Sequence, residues 1–597
     1  MSGNPIAMAG LDILRARVRK ILARPAGDAI GKKPATLTYG LEEPPPVVVT
    51  WISAIQHVGV SSIFMVYPLI IARQAGLPPD QVTNVLQLGF LALAVAVLLQ
   101  ALPRGPVGSR FLAPSIFTGI YLAPSLLAVK AGGLPLIWGM TIFAGLVEMA
   151  LSRIWSRLRP FIPPESAGLV VFLVGTIIGL AAFRVMLEDS PSGALSARDG
   201  IVAGASIAVM IALNIWNKGR LKLFCILIGM CVGYFTAGMV GLLTAHDLSD
   251  LLHRPLIALP SVSRISWAFD WSLAVPFAIS GLASAMSSTA VVTTYQRLTD
   301  ADWVRPDMAS IGRGVLGDGI ATTVSGLLGT YGLTISTANV GLVAATGVAS
   351  RVIAFAVAAI FTVAALQPTL TGLLTIMPRP VMAAAMLFTA VFIMISGIQI
   401  ISTRVLDGRR TLVIGIGMMA FIVVSVYPAA FIGAPRWAYP LVTSPLVLAT
   451  LVALSLNLLF RIGIRRKVEA AIDPDGPDVA LISNFIERNA GMWGARRDVI
   501  NRVEFAVQQT LEAVIGSCDA KGPIRLEISY DEFVIEVLVS YDGALLEFPT
   551  QPPTKAEILA TEDSHLRLAG FLIRRHADRV RATRRNDQTV LQLNFDH

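Results

Sequence analysis

Residues 334–351 read Thr-Ile-Ser-Thr-Ala-Asn-Val-Gly-Leu-Val-Ala-Ala-Thr-Gly-Val-Ala-Ser-Arg. No charge occurs before Arg351, so the stretch belongs in apolar surroundings, yet Gly341, Gly347 and the opening Thr/Ser cluster argue against one continuous helix. The pattern predicts about five extended residues followed by a short helix, with Asn339 suited to cap its first N–H groups. Those N–H groups, the positive end of the helix dipole and the Asn339 amide would equally suit a planar polar solute. Both readings stay open on the residues alone. A second interrupted stretch, 108–124, carries two Pro and two Gly.

The surrounding 597 residues are 54% apolar and 15% charged, which excludes a string of soluble domains and defines an integral membrane protein. The net charge of +9 comes from short basic groups between apolar runs rather than from a stripe with interleaved aromatics, so nucleic acid is excluded as a partner. Cys225, Cys231 and Cys518 lack metal or redox spacing, and neither a metal nor a cofactor is expected. The basic N-terminus has no apolar run leading to a small-residue cleavage site, so no removable signal is expected.

Fourteen stretches approach the length that crosses a hydrocarbon core, at about 48–73, 82–103, 112–129, 134–153, 166–187, 199–216, 221–245, 271–295, 311–329, 335–349, 352–374, 378–401, 410–431 and 438–461. With both chain ends placed in the cytoplasm, the inside loops hold fifteen Lys and Arg and the outside loops eight, the bias that orients membrane proteins. The two interrupted stretches are then the third of each set of seven. Matching breaks in two halves predict a seven-plus-seven inverted repeat with a solute held between half-helix ends. The fold class expected is therefore an all-α polytopic membrane protein with segments 3 and 10 half-unwound, followed by a small cytoplasmic α+β domain.

The boundaries predicted are a cytoplasmic tail at 1–45, a membrane domain at 46–465, a linker at 466–477 around Asp473-Pro-Asp-Gly-Pro477, and a cytoplasmic domain at 478–597. In the last, helical periodicity runs over about 497–516 and 566–577, and alternation marks strands from Ile524, Val534 and Val590.

Ionisable side chains inside spans are costly, so each is a functional candidate. Gln56 and His57 in the first span read either as an interhelical hydrogen bond or as part of a solute site. Asp318, between glycines, reads as a brace for the tenth segment or as a carrier of a coupling proton. Glu148, five residues before Arg153, reads as a helix-end ion pair or as a proton carrier. Asp318, His57 and Glu148 are the candidates for ion coupling.

The run from Asn339 to Arg351 resembles the signature of the nucleobase–ascorbate transporter family (nucleobase:cation symporter-2, the uracil/xanthine permeases). Gln56-His57-Val58 is similar to that family's first-span motif, Gly108-Ser109 and the run to Pro124 to its third segment, and Arg313-Gly314 through Gly319 to its ninth. The resemblance covers roughly 40–465. It implies a core of spans 1–4 and 8–11, a gate of spans 5–7 and 12–14, coupling to protons or sodium, and a homodimer in the inner membrane. It also implies a solute site drawn from Gln56, His57, Thr118, Tyr121, Met286, Ser287, Thr337, Ala338, Asn339 and Gly341.

Departures accompany the match. Ala338 stands where the family has Gln or Glu, Ser287 where its eighth span offers Glu, and Gly119 with Tyr121 where it has an aromatic pair. The C-terminal domain resembles the histidine-kinase-type ATPase fold of anti-sigma kinases. Gln509 and Ala513 replace that fold's catalytic Glu and magnesium-binding Asn, so no ATP hydrolysis is expected and the chain reads as no enzyme. The function expected is a secondary transporter of a purine or pyrimidine base such as xanthine or uracil. The alternatives are a membrane receptor signalling through the C-terminal domain, and an anion carrier of sulfate-permease type.

Overall fold

A computed structural model describes residues 32–158, 164–187, 194–216, 224–244, 249, 253–303, 306–402, 406–431, 433–435, 438–460, 466–473, 479–493, 495, 497–517, 521–531, 534–549, 551, 563–585 and 588–596. The basic N-terminal tail through residue 31, the 474–477 part of the expected linker turn and Cys518 lie outside the described residues. The chain divides into two units, 1–403 with 410–455, and 404–409 with 456–597.

The first unit is a mostly helical, polytopic membrane-type fold. Among the described residues eight helices are long and apolar enough to cross a bilayer, and nine if Ile353–Ala365 and Pro368–Thr375, bent by 79° at Gln367, form one span. Further apolar helices are shorter: Cys225–Met239, Thr337–Thr346 and Pro445–Phe460. The long helix Leu122–Leu158 breaks at Gly133, whose φ of 69° suits glycine, and Pro135, two residues on, removes a backbone donor.

Both interrupted stretches contain extended backbone. Strand β1, Ser115–Phe117, runs antiparallel to β2, Leu333–Ile335, with Ile116 opposite Thr334. The pair is extended by Ser336 N–H donating to Pro114 O at 3.0 Å and Thr118 N–H to Gly332 O at 3.3 Å. β1 leads into a short 3₁₀ turn, Gly119–Tyr121, and then Leu122–Leu158; β2 leads into Thr337–Thr346. The approach to β1 is fixed by Gly108. Its φ is +87°, its N–H donates to Arg313 O, and a side chain there would strike Leu99 O.

Close helix contacts are built on glycine, the usual device where lipid supplies no hydrophobic drive. A Cβ at Gly319 would lie 2.9 Å from Gly145 O, and one at Gly326 2.8 Å from Trp138 O, which brings Met308–Leu327 against Leu122–Leu158. Gly168 and Gly397 do the same for Pro164–Leu187 and Arg379–Ile401. The buried pair Arg410 to Glu165, 3.1 Å, ties the start of Gly408–Val426 to that assembly.

Residues 33–43 lie along the loop that follows Thr337–Thr346. Thr38 and Tyr39 N–H donate to Gly347 O, Ala349 N–H to Tyr39 O and Arg351 N–H to Leu41 O, and buried Arg351 pairs with Glu42. Within this segment the Lys33 amino group donates to Glu43 and holds its carboxyl below the usual range.

The second unit is an antiparallel five-stranded sheet of order β3-β4-β5-β7-β6, built from Arg466–Ile472, Lys521–Tyr530, Val534–Asp542, Gln588–Asp596 and Arg579–Arg585 respectively. Helices Val479–Met492, Arg497–Ser517 and Asp563–His576 accompany it, and Val503, Val507, Val537 and Leu593 lie in one core. Residues 466–472 are strand rather than linker, because Val468 and Ala470 alternate with charged or exposed neighbours against β4.

Replacing Gly319 with valine places branched carbons against Gly145 O and Met149. Overpacking of this kind costs about 1–3 kcal/mol, so Gly319→Val is expected to lower the unfolding temperature of the detergent-solubilised protein; an unchanged midpoint would contradict the helix contact.

Candidate functional site

Two polar clusters hold the start of Thr337–Thr346. In the first, the His57 ring (Nδ1) and Asn339 Oδ1 lie 2.7 Å apart, and Asn339 Nδ2 donates to Ser61 Oγ at 2.9 Å. An amide oxygen accepts, so His57 carries its proton on Nδ1. His57 and Ser61 are one helical turn apart on Val47–Ser62, and all three residues are buried.

The cap is not Asn339. Ser336 occupies the N-cap position and its Oγ accepts from the Asn339 N–H at 3.2 Å. Asn339 falls at the third helical position, where its side chain turns toward the first span. The amide keeps one N–H and one lone pair beyond its two bonds. The N–H groups of Thr337 and Ala338 precede any possible partner within the helix.

In the second cluster, Asp318 Oδ2 accepts from Ser288 Oγ at 2.5 Å and Ser284 Oγ at 3.2 Å. Ser284 Oγ also lies 3.3 Å from Leu333 O, Thr322 Oγ1 donates to Leu333 O at 3.1 Å, and Ser288 Oγ lies 3.3 Å from Thr334 Oγ1. Asp318 thus braces β2 through hydroxyls of Ala274–Thr299. Glu148 is fully buried beside Asp318, whereas Arg153 is exposed. The expected helix-end ion pair is absent among the described residues.

The remaining candidates separate into interior and open positions. Tyr121 is fully buried, edge-on to Tyr331 and pressed against Gly332, which has no room for a side chain. Thr118 is buried and its side chain accepts from Ile120 N–H, which shapes the 3₁₀ turn. Gly119 faces Ile178 of Pro164–Leu187, whose methyl occupies the space beside it. Gln56 and Met286 are buried, and Ser287 is half-buried. Thr337, Ala338 and Gly341 are exposed on one side of their short helix, and a Cβ at Gly341 would meet nothing within 4 Å.

The structure therefore joins His57 with Asn339, and Asp318 with Glu148, while Thr118 and Tyr121 serve the interior of the crossing. Sequence reasoning missed Ser61, Ser284, Ser288 and Ser336. The four-residue spacings of His57 with Ser61 and of Ser284 with Ser288 were the available signals.

Apolar helices crossing the bilayer, with two broken segments meeting at buried polar clusters, define the class of secondary transporters. The Permease family profile, Xan_ur_permease, matches residues 49–430, and the chain belongs to that family. It is similar to the xanthine permease XanP of Escherichia coli K12, at 28% identity over 443 residues covering 71% of this chain and 94% of that protein. It also resembles xanthine permease XanQ of the same strain, at 26% over 449 residues, 72% and 95%, and a Bacillus subtilis xanthine permease at 26% over 422 residues, 68% and 93%.

Removing the Asn339 amide leaves the buried His57 N–H and Ser61 hydroxyl without that partner. A buried group left unpaired costs about 1–3 kcal/mol. Asn339→Leu is expected to lower the thermal unfolding midpoint, and in the cycle of wild type, His57→Ala, Asn339→Ala and the double variant the two alanine substitutions are expected to be non-additive; strict additivity would refute the pairing.

Proposed function

We propose that this protein is a permease for a planar nucleobase of the xanthine or uracil type, driven by a coupled proton or sodium ion. The observation that carries the reading is the family match over 49–430, within which the exposed start of Thr337–Thr346 presents unpaired N–H groups. The relatives' names supply the solute class.

In this reading the solute edge meets the Thr337 and Ala338 N–H groups and the hydroxyls of Thr337 and Ser287. The bond between His57 and Asn339 fixes where that helix begins, and the Asp318 hydroxyl network fixes the strand before it. Thr118 and Tyr121 shape the wall from behind, with Gln56, Met286 and Gly341 bordering the site.

The expected fourteen spans fit the same elements. The break at Gly133 yields two spans from one helix, the bent pair at Gln367 yields one, and the shorter helices and half-strands account for the others. Spans 1–4 and 8–11 form the moving core and spans 5–7 and 12–14 the gate, through which two copies associate. We place the protein in the inner membrane with both termini cytoplasmic, as the Lys and Arg asymmetry favours.

Residues 478–597 act as a cytoplasmic regulatory domain, preceded by the tail at 1–45 and the membrane domain at 46–465. Ala513 lies in the apolar core and Gln509 is hydrogen-bonded to Glu512, so neither position offers a metal ligand or a base. ATP hydrolysis is not expected.

Cells expressing the protein should accumulate radiolabelled xanthine or uracil, competed by unlabelled bases and not by sulfate. Asn339→Leu should reduce uptake at least tenfold, roughly 1.4 kcal/mol; deletion of 478–597 should leave part of the flux. Competition by sulfate alone, or full uptake in Asn339→Leu, would overturn the reading.

A further inference from the structure

Behind the crossing three helices converge on glycine. A Cβ at Gly145 would strike Thr323 and lie 2.7 Å from Gly319 O, and one at Gly281 would lie 2.7 Å from Ala144 O. Leu122–Leu158, Met308–Leu327 and Ala274–Thr299 therefore touch backbone to backbone at this level. Their polar residues sit on the next turn: Glu148 three residues after Gly145, Ser284 three after Gly281, and Asp318 directly before Gly319. All three are fully buried.

The backbone contact of Gly145 with Gly319 O sets the buried Glu148 and Asp318 side by side in the interior. Both serine bonds go to Asp318 Oδ2, and among the described residues Glu148 Oε1, Glu148 Oε2 and Asp318 Oδ1 receive no hydrogen bond from any other group. The titratable groups facing the pair are the two carboxyls themselves and the Tyr121 phenol; the other neighbours are the hydroxyls of Ser284, Ser288, Thr322 and Thr334. Among the described residues no cation faces the pair, and Arg153 on the helix of Glu148 is exposed.

Two adjacent carboxylates buried from solvent repel, and burial itself penalises each charge. One proton removes a charge and supplies the donor that the orphan oxygens lack. We propose that Glu148 and Asp318 form a proton-sharing carboxyl pair, and that Ser284 and Ser288 couple its protonation to strand β2 and thereby to the start of Thr337–Thr346. The proton enters from solution and returns to it; no covalent bond other than O–H forms or breaks. The residues of the pair titrate together, so the proton belongs to both. The sharing stands apart from the solute assignment, whereas its use in coupling rests on the transport reading.

Infrared difference spectroscopy on the full-length protein, without solute, tests the pair. At neutral pH the wild type should give a protonated-carboxyl stretch that shifts in D2O, and Glu148→Gln should lose it, because the amide then supplies the donor to Asp318. A wild type lacking that band, or a band retained in Glu148→Gln, overturns the proposal. Should Glu148→Gln not insert, Glu148→Asp keeps a carboxyl at a shorter reach and must shift the band; an unshifted band is equally fatal. Radiolabelled xanthine uptake by the wild type should rise as pH falls and flatten in Glu148→Gln. An unaltered pH profile with the band gone refutes the coupling through the serines, while absence of xanthine uptake with the band present rejects the solute class and leaves the pair standing.

Discussion

Backbone N–H and C=O groups have no water to turn to inside a bilayer, and each left unpaired there costs several kcal/mol. A transmembrane segment that abandons the helix must find those bonds elsewhere. Here the two unwound stretches satisfy each other, Ser115–Phe117 against Leu333–Ile335, and the ends of the short ladder are closed by Pro114 O and Gly332 O. This pairing permits both half-helices to begin in the interior. It also dictates residues that otherwise look arbitrary: Gly332 because Tyr121 lies against its backbone, Gly108 because Leu99 O leaves no room and φ is positive.

Side-chain bonds refine what the strand pair establishes. Interhelical hydrogen bonds in membranes average only about 0.6 kcal/mol, so no single contact among His57, Asn339, Ser61, Asp318, Ser284 and Ser288 anchors the crossing. Their arrangement matters more than their sum. One cluster reaches the short helix from the first span, and the other reaches β2 from Ala274–Thr299 and Met308–Leu327. The polar end of Thr337–Thr346 is thus held from two sides while Thr337, Ala338 and Gly341 stay open.

The breaks were legible because glycine, proline and clustered hydroxyls are unmistakable in apolar sequence, and the family signature gave the transporter class. The finer chemistry depended on positions that pattern does not resolve. The pattern suits Asn339 both to a cap and to a solute contact, but the helix starts early enough that Ser336 takes the cap and the Asn339 amide turns to His57. Glu148, five residues before Arg153, reads as a helix-end ion pair or as a proton carrier; the helix continues to Leu158, so Glu148 remains inside. Ser284 and Ser288 lie on one helical face, yet only packing against Asp318 says which face is inward. In the second unit, 466–472 reads as linker beside the Asp473-Pro-Asp-Gly-Pro477 turn, yet it forms an edge strand whose exposed residues include Arg466, Lys467 and Glu469.

The distribution of acids separates two tasks. The exposed start of Thr337–Thr346 carries Thr337, Ala338 and Gly341 and no carboxylate, while Glu148 and Asp318 are fully buried. Neutral hydrogen bonds contribute about 0.5–1.5 kcal/mol and charged ones about 1.5–3, so a base held by hydroxyls and backbone N–H groups is bound more weakly than one anchored by an acid. It is also bound with less dependence on the protonation of the binding face itself. In this arrangement the interior Asp318 contacts the serines beside β2, and substitutions at the exposed positions Thr337, Ala338 and Gly341 leave those contacts untouched.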